Sequence, residues 1–186
     1  MGYSAADTAK KHEHILDEAI RLFRERGFSN VTVSEVMKAA GLTHGPFYNH
    51  FASKDALMTE TLAHELKKAL EKLDRTPATK AGKALYADRY LSETHRDQCG
   101  TGCAMAALAS DVRQEKGPVR DAFTELLKQY IHQLATRFPW RSKRSARGDA
   151  IHMFSCLVGA TVLARAVSDE AFSKEILTET RRRIDD

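Results

Sequence analysis

Residues 32–54 read TVSEVMKAAGLTHGPFYNHFASK. Val33, Val36, Met37 and Ala40 fall at i, i+3, i+4 and i+7, which is one apolar face of a short helix. Gly41 follows at once, where a helix C-terminus favours positive φ, and Leu42 returns an apolar contact. Thr43 is placed to cap a second helix through its hydroxyl. Pro46 then falls in the first turn of that helix, where a backbone N–H has no intrahelical partner to lose. Phe47 and Phe51, at i and i+4, form its core side and leave His44, Gly45, Tyr48, Asn49 and His50 outside. Ser53 is placed to cap the next helix, with Lys54 and Asp55 just inside it. Two short helices joined by a glycine turn, the second with small, polar and aromatic groups at its tip, have the form of a helix-turn-helix that enters a DNA major groove.

The preceding stretch completes the unit. Thr8 to Arg26 places Ile15, Ala19, Leu22 and Phe23 on one stripe, widened by Leu16 and Ile20, with charged residues opposite. Gly27 ends this helix and Phe28 is free to pack back on it. Three helices in about 50 residues make a small core, so the remaining chain has to brace it. The order of a long first helix, Gly27-Phe28, Thr32-Val33, Ala39-Ala40-Gly41-Leu42-Thr43, Phe47-Tyr48-Asn49-His50-Phe51 and Ser53-Lys54-Asp55-Ala56-Leu57 closely resembles the TetR family of transcriptional regulators. The resemblance spans roughly residues 10 to 58. It implies an all-α protein of about nine helices, with a helix-turn-helix DNA-binding domain over 8–54 and a helical ligand-binding and dimerisation domain over 55–186. Two positions depart from the family pattern: His44 stands where lysine is common, and Pro46 where threonine or another small residue is common.

Composition agrees with a helical chain. Among 186 residues there are 10 Gly and 4 Pro, and no segment alternates with period two. No phosphate-cradling glycine loop, internal repeat or low-complexity tract is present. The first residues, MGYSAADTAKKHEH, have no apolar core of the kind a signal peptide needs, and Ala6 replaces the Ser or Thr of a myristoylation motif. Ala150 to Val167 is the longest apolar stretch, but His152 and Arg165 interrupt it, so it reads as a buried bundle helix rather than a membrane span. A cytoplasmic location with no membrane partner is expected. No Ser/His/Asp set, no paired carboxylates on one face and no strong metal signature point to an enzyme or to a cofactor.

A net charge of +4 suits a nucleic-acid partner, yet residues 1–54 hold seven Lys/Arg against six Asp/Glu, so arrangement rather than bulk charge has to carry that reading. Thr32, Thr43, Tyr48, His50 and Lys54 suit phosphate oxygens. Asn49, His44 and the open backbone at Gly45, followed by Pro46, are better placed for base edges. Bland alternatives stand beside these: Lys10 and Lys11 as a solvated helix start, Tyr48 as half-buried packing, His50 and Lys54 as neutral surface groups.

Beyond residue 54 six helical segments are expected, near 53–74, 79–94, 104–112, 119–138, 149–167 and 169–183, with a polar loop over Arg96–Gly102 and a basic one over Pro139–Gly148. The helix from Ala150 is apolar almost all round, so the last two helices, about 149–183, read as a homodimer seam; a purely intramolecular core helix is the alternative. Tyr86, Tyr90, Met105, Phe123, Tyr130 and His152 are candidates to line an effector pocket among the middle helices. Cys99, Cys103 and Cys156 make an odd count that argues against a disulfide framework. His95, Cys99 and Cys103 stand four apart, and on a continuous helix would share a face able to act as a thiol pair or hold a metal; Gly100 and Gly102 weigh against such a helix. The function expected is a ligand-responsive repressor that binds a palindromic double-stranded DNA operator as a homodimer and is released by a small molecule. The alternative is a thiol-based redox or electrophile sensor using Cys99 and Cys103.

Overall fold

The computed structural model describes residues 5–184; residues 1–4, which include Gly2 of the discounted myristoylation motif, and residues 185–186 lie outside it. The order is α1 (Ala5–Arg26), α2 (Val33–Ala39), a 3-10 helix (Gly45–Asn49), α3 (Lys54–Asp74), α4 (Lys80–Tyr90), α5 (Glu93–Asp97), a second 3-10 turn (Cys99–Thr101), α6 (Ala104–Val112), α7 (Pro118–Arg137), α8 (Ala146–Ala166) and α9 (Glu170–Arg183). No strand occurs among the described residues. The fold class is all-α, as the sequence indicates.

The head is α1, α2, the first 3-10 helix and the start of α3. Gly27 has φ 79°, which ends α1, and Phe28 turns back to meet Phe23 edge-on with centroids 4.9 Å apart. Thr32 and Glu35 close a capping box on α2: Thr32 Oγ1 accepts from the Glu35 N–H at 3.2 Å, and the Glu35 carboxylate accepts from the Thr32 N–H at 2.8 Å. At the other end Gly41, φ 71°, closes a Schellman turn, with Leu42 N–H donating to Met37 O at 2.8 Å and Gly41 N–H to Lys38 O at 3.0 Å. Phe23, Phe28, Phe47, Phe51 and Met37 are fully buried and form the centre of this small unit. Each such side chain contributes about 1.5–3 kcal/mol relative to leaving it in water.

One expectation changes here. The segment after Gly41 is not an α-helix starting at a Thr43 cap; it is a five-residue 3-10 helix beginning at Gly45, and Thr43 makes no capping bond. Phe47 N–H donates to His44 O at 3.1 Å, three residues back, rather than to Thr43 O four residues back. Pro46 does sit in the first turn, and Phe47 and Phe51 do form the buried side.

Ser53 caps α3 by accepting from the Ala56 N–H at 3.1 Å. This helix runs unbroken from the head into the body, packing on α1 and, more extensively, on α7. The boundary expected at 54/55 thus falls at the first turn of a helix common to both halves. In the body the single helix expected over 79–94 is two: Ser92 accepts from the His95 N–H at 3.1 Å and starts α5 afresh. Arg96, expected in a polar loop, is buried and donates to Ser173 Oγ at 2.9 Å, Glu170 at 3.0 Å and Asp97 at 2.6 Å. Arg165 from α8 holds the same turn, donating to the carbonyls of Arg96 and His95 at 2.8 and 2.7 Å. The last two helices begin and end close to where the sequence puts them, α8 starting three residues early at Ala146. Among the described residues α8 alone is long and apolar enough to cross a membrane; its inner face, including Met153, Phe154, Leu157 and Ala164, packs into the body core against α6, α7 and α9.

Candidate nucleic-acid interface and body cavity

Two places in the molecule can act on a partner. The first is the outer face of the Gly45–Asn49 helix. Behind it Phe47 and Phe51 are 1% and 2% exposed, while Tyr48 is 69% exposed with Thr43, His44, Gly45 and Asn49 also open to solvent. Tyr48 is held edge-on by Phe47, centroids 5.2 Å apart, and meets the His44 ring at 6.2 Å. The platform is therefore polar and aromatic outside and fixed by apolar packing inside. Such a surface can place an amide and an imidazole against base edges with a phenol beside a phosphate.

Other expected contact residues are engaged within the chain. The Thr32 hydroxyl donates to Glu35 at 2.7 Å in the capping box. Lys54 Nζ donates to the Phe28 carbonyl at 2.6 Å, tying the start of α3 to the turn after α1. His50 is half-buried, and burial first, then the charges of His12 and Lys11, hold its imidazole below its ordinary value. His12, which sequence reading passed over, stacks on Phe51 at 4.6 Å and donates to Glu60 at 3.0 Å. Lys10 and Lys11 lie within α1. Glu35, bonded by the Thr32 backbone and hydroxyl and then by Arg26, has its carboxyl pulled down to about 2.

The second place is a cavity of about 420 Å³ in the body, walled by α1, α3, α4, α7 and the chain from His95 to Met105. Four of the six residues expected to line a pocket are there: Tyr86, Tyr90, Met105 and Tyr130. Tyr86 and Tyr130 share a hydroxyl–hydroxyl hydrogen bond at 3.1 Å, and desolvation pushes both phenols, and that of Tyr90, upward. Phe123 instead lines a separate groove between α6, α7 and α8. His152 is exposed on α8, with Cys156 Sγ at 3.8 Å, outside this cavity. Both positions follow α-helical periodicity, which gives a face but not the neighbour across it.

Charged groups of the wall were not foreseen. Arg24 and Glu65 form an ion pair with side chains only 8% and 13% exposed, and burial lifts the Glu65 carboxyl above its usual range even with Arg24 beside it. Arg24 also donates to the Gly100 carbonyl at 3.2 Å. A long amphipathic helix shows these residues as part of a charged face, with nothing in its spacing to mark them as cavity wall.

The cysteine stretch does not form one helix; α5, the second 3-10 turn and α6 divide it. His95 Nδ1 donates to the Tyr90 carbonyl at 2.6 Å, and its Nε2 accepts from the Cys103 N–H at 3.0 Å. Both nitrogens are thus engaged by backbone and the neutral tautomer is fixed. Among the described residues no group of three or more His, Cys, Asp or Glu is placed to hold a metal. Cys103 lines the cavity, and burial raises its thiol above the ordinary value; Cys99 is half-buried on the 3-10 turn. The two are free thiols.

The body reaches the head directly through α6 and this turn. Both pack on α1, and Asp111 near the end of α6 accepts from the Phe28 N–H at 2.9 Å, just past Gly27.

Known proteins share both the head and the whole fold. A family model for bacterial regulatory proteins of the tetR family matches residues 15–61. Over 54 residues the chain is 43% identical to the HTH-type transcriptional regulator AcrR of Shigella flexneri, covering 29% of this chain and 25% of that protein. Over 117 residues it is 31% identical to the HTH-type transcriptional repressor NemR of Escherichia coli K12, covering 59% of this chain and 58% of that one. The chain thus spans from a quarter to somewhat over half of the lengths of these curated relatives. The crystal structure of reduced E. coli NemR superposes with a TM-score of 0.78 at 21% identity, covering 94% of this chain and 95% of the other. Residues 15–61 are thus a TetR-family helix-turn-helix domain, and the chain as a whole has the fold seen in reduced NemR.

Proposed function

We propose that this protein is a ligand-responsive repressor that binds a palindromic operator as a homodimer and lets go when a small molecule fills the body cavity. The observation that carries the reading is the Tyr48–Asn49 platform, solvent-open over fully buried Phe47 and Phe51. Supporting dimerisation, the outer faces of α8 and α9 leave Ile151, Val162, Leu163 and Phe172 between 42% and 58% exposed. Apolar side chains clustered on one surface favour burial against a partner. Within one subunit α9 packs through Ser173 and Leu177, so Phe172 remains available. A two-fold pair would set two platforms on successive major grooves, about 34–36 Å apart. The effector acts only through unequal affinity for the bound and released arrangements. The route is short, from the cavity wall at Met105 along α6 to Asp111 at the Gly27–Phe28 bend.

Fluorescence anisotropy with an inverted repeat from the DNA upstream of the gene tests this. Specific binding at least a hundredfold tighter than to scrambled DNA, and a two-subunit mass in sedimentation, are expected; equal affinity for both DNAs at every salt concentration removes the reading. Asn49→Ala should erase about 1–3 kcal/mol of discrimination at one base pair, and Tyr48→Ala should weaken all sequences alike.

A second reading places the signal on Cys103, because its thiol lies on the cavity wall. Cys99 stands on the neighbouring 3-10 turn and is half-buried. The raised Cys103 thiol stays protonated at neutral pH, which disfavours direct attack by the thiolate. DNA release by peroxide that survives in the Cys99→Ser/Cys103→Ser protein would end this second reading.

A further inference from the structure

The cavity has a chemical bias that goes past the statement that an effector binds there. Its inner wall carries three phenols, and one of them is left over. Tyr86 and Tyr130 satisfy each other, whereas Tyr90 Oη is buried without a hydrogen-bond partner of good geometry, the Cys103 thiol being its polar neighbour. An unpaired buried hydroxyl costs free energy, and a ligand acceptor reaching it recovers that cost. Arg24 Nε, on the same wall, is likewise buried and unpaired.

The rim is lopsided in charge. Arg24 is matched by Glu65 and Lys68 by Asp17, while Arg21 is bridged by Glu18 and Glu25. Lys72 of α3 and Arg89 of α4 also line the cavity, are both exposed, and have no carboxylate within ion-pair distance among the described residues. Two surplus cations therefore line a chamber whose uncharged wall combines Ile20, Ala69, Leu73, Met105 and three tyrosines with Thr76, His95 and Cys103. The volume of about 420 Å³ falls in the range of about 300–1,000 Å³ usual for small-molecule sites.

From this arrangement we infer that the cavity takes a small amphipathic carboxylate: an apolar or aromatic body inside the chamber, the anionic end between Lys72 and Arg89, and an acceptor within reach of Tyr90 Oη. The inference rests on the effector-site reading above and names its ligand class. Opposite charge at the rim selects the anion, and the apolar walls supply the affinity. A cationic ligand of the same shape meets two like charges at the entrance. The neutral analogue keeps the burial and loses the pairing.

Isothermal titration of the full-length protein with 2-naphthoate, 2-naphthamide and 2-naphthylmethylammonium separates these cases, since the body is shared and only the end group differs. Naphthoate is expected to bind at least tenfold tighter than the amide, and the ammonium more weakly still. In the K72Q/R89Q protein, whose exposed positions leave the core untouched, the advantage of carboxylate over amide should fall to within twofold. Tyr90→Phe should weaken naphthoate while leaving the order of the three probes unchanged. An ammonium that binds as well as the carboxylate, a preference that survives the double substitution, or failure of all three probes to bind overturns the inference. Operator affinity measured on the same unliganded protein keeps the outcomes apart: operator binding without naphthoate binding removes only the ligand class, and naphthoate binding without operator binding removes only the repressor reading.

Discussion

The head and the body cavity solve opposite problems. The proposed reading platform is written in one contiguous stretch: Thr32, Gly41, Phe47, Phe51 and Ser53 each do their local job within a few residues of its exposed face. Its interior is apolar and its working face polar. The cavity inverts this: Arg24, Glu65, Tyr90, Cys103 and Tyr130 come from five separate stretches, and a buried ion pair lies in its wall. A platform of the first kind is held by dispersion and burial, which tolerate a polar outside. A chamber of the second kind is held in part by pairing, and Arg24 with Glu65 and Lys68 with Asp17 each join partners remote in sequence. Substitutions should therefore fail in different ways in the two regions.

The largest effect is expected in the head. Phe51 is 2% exposed and touches Phe47 and His12 at centroid distances of 5.6 and 4.6 Å. Phe51→Ala removes an aromatic from a core with few others and should cost about 3–5 kcal/mol. At about 2–4 °C per kcal/mol for a chain of this size, the melting midpoint should drop by roughly 6–20 °C. Specific DNA binding should go with it, because the platform loses its floor. Retention of both would mean that the 3-10 helix is held by something other than its phenylalanines.

The body should respond differently to loss of one charge. Glu65→Leu leaves Arg24 buried without its carboxylate and should cost about 3 kcal/mol, read from urea unfolding. The double change Arg24→Met/Glu65→Leu should recover most of that loss, because two apolar side chains of similar volume need no partner. A double mutant as unstable as the single one would show that the pair is not the unit of stability, and the contrast between the regions would weaken.

The same contrast decides what could be read from the chain. Helix ends at Gly27 and Gly41, the Ser53 cap and the long period of α7 are legible, because each is settled by residues within one or two turns. The 3-10 form of the Gly45–Asn49 segment is not legible in the sequence, even from Pro46. A proline in the first turn is compatible with either helix, and only the bond from Phe47 to His44 distinguishes them. The burial of Arg96 is not legible because it answers to Glu170 and Ser173, more than 70 residues onward, whereas the break at Ser92 rests on a local cap to the His95 N–H. Tyr86, Tyr90, Met105 and Tyr130 were found by residue type on helical faces; that rule picked up Phe123 and His152 as well, whose helices turn them elsewhere. Arg24, Glu65, Lys72 and Arg89 carry no local mark, since charge on an amphipathic helix ordinarily means solvent.

The smallest effect expected is on pH dependence, and it sharpens the comparison because each region holds one imidazole with a lowered value. His95 is lowered by burial first and then by the nearby charges of Arg165, Lys72 and Arg24, with its bond to the Tyr90 carbonyl acting the other way. Protonating it would also remove the acceptor for the Cys103 N–H. The unfolded chain takes up a proton near the ordinary value of about 6.5, whereas the folded chain takes it up lower. Between those two values the unfolded state binds more protons, so stability rises with pH there; it is fully present above about 6.5 and is lost as pH falls. Denaturant midpoints from pH 8 to pH 5 should therefore decline below pH 6.5, and His95→Gln should flatten that decline. His50 shifts in the same direction for the same leading reason, but it is held in the head by His12 and Phe51. His50→Gln should remove its own share and leave the His95 share intact, because the two rings sit in separate packing environments. A profile that stays unchanged in the His95→Gln protein would mean that the ring beside Cys103 is as free to take a proton folded as unfolded, contrary to the two backbone bonds that fix it.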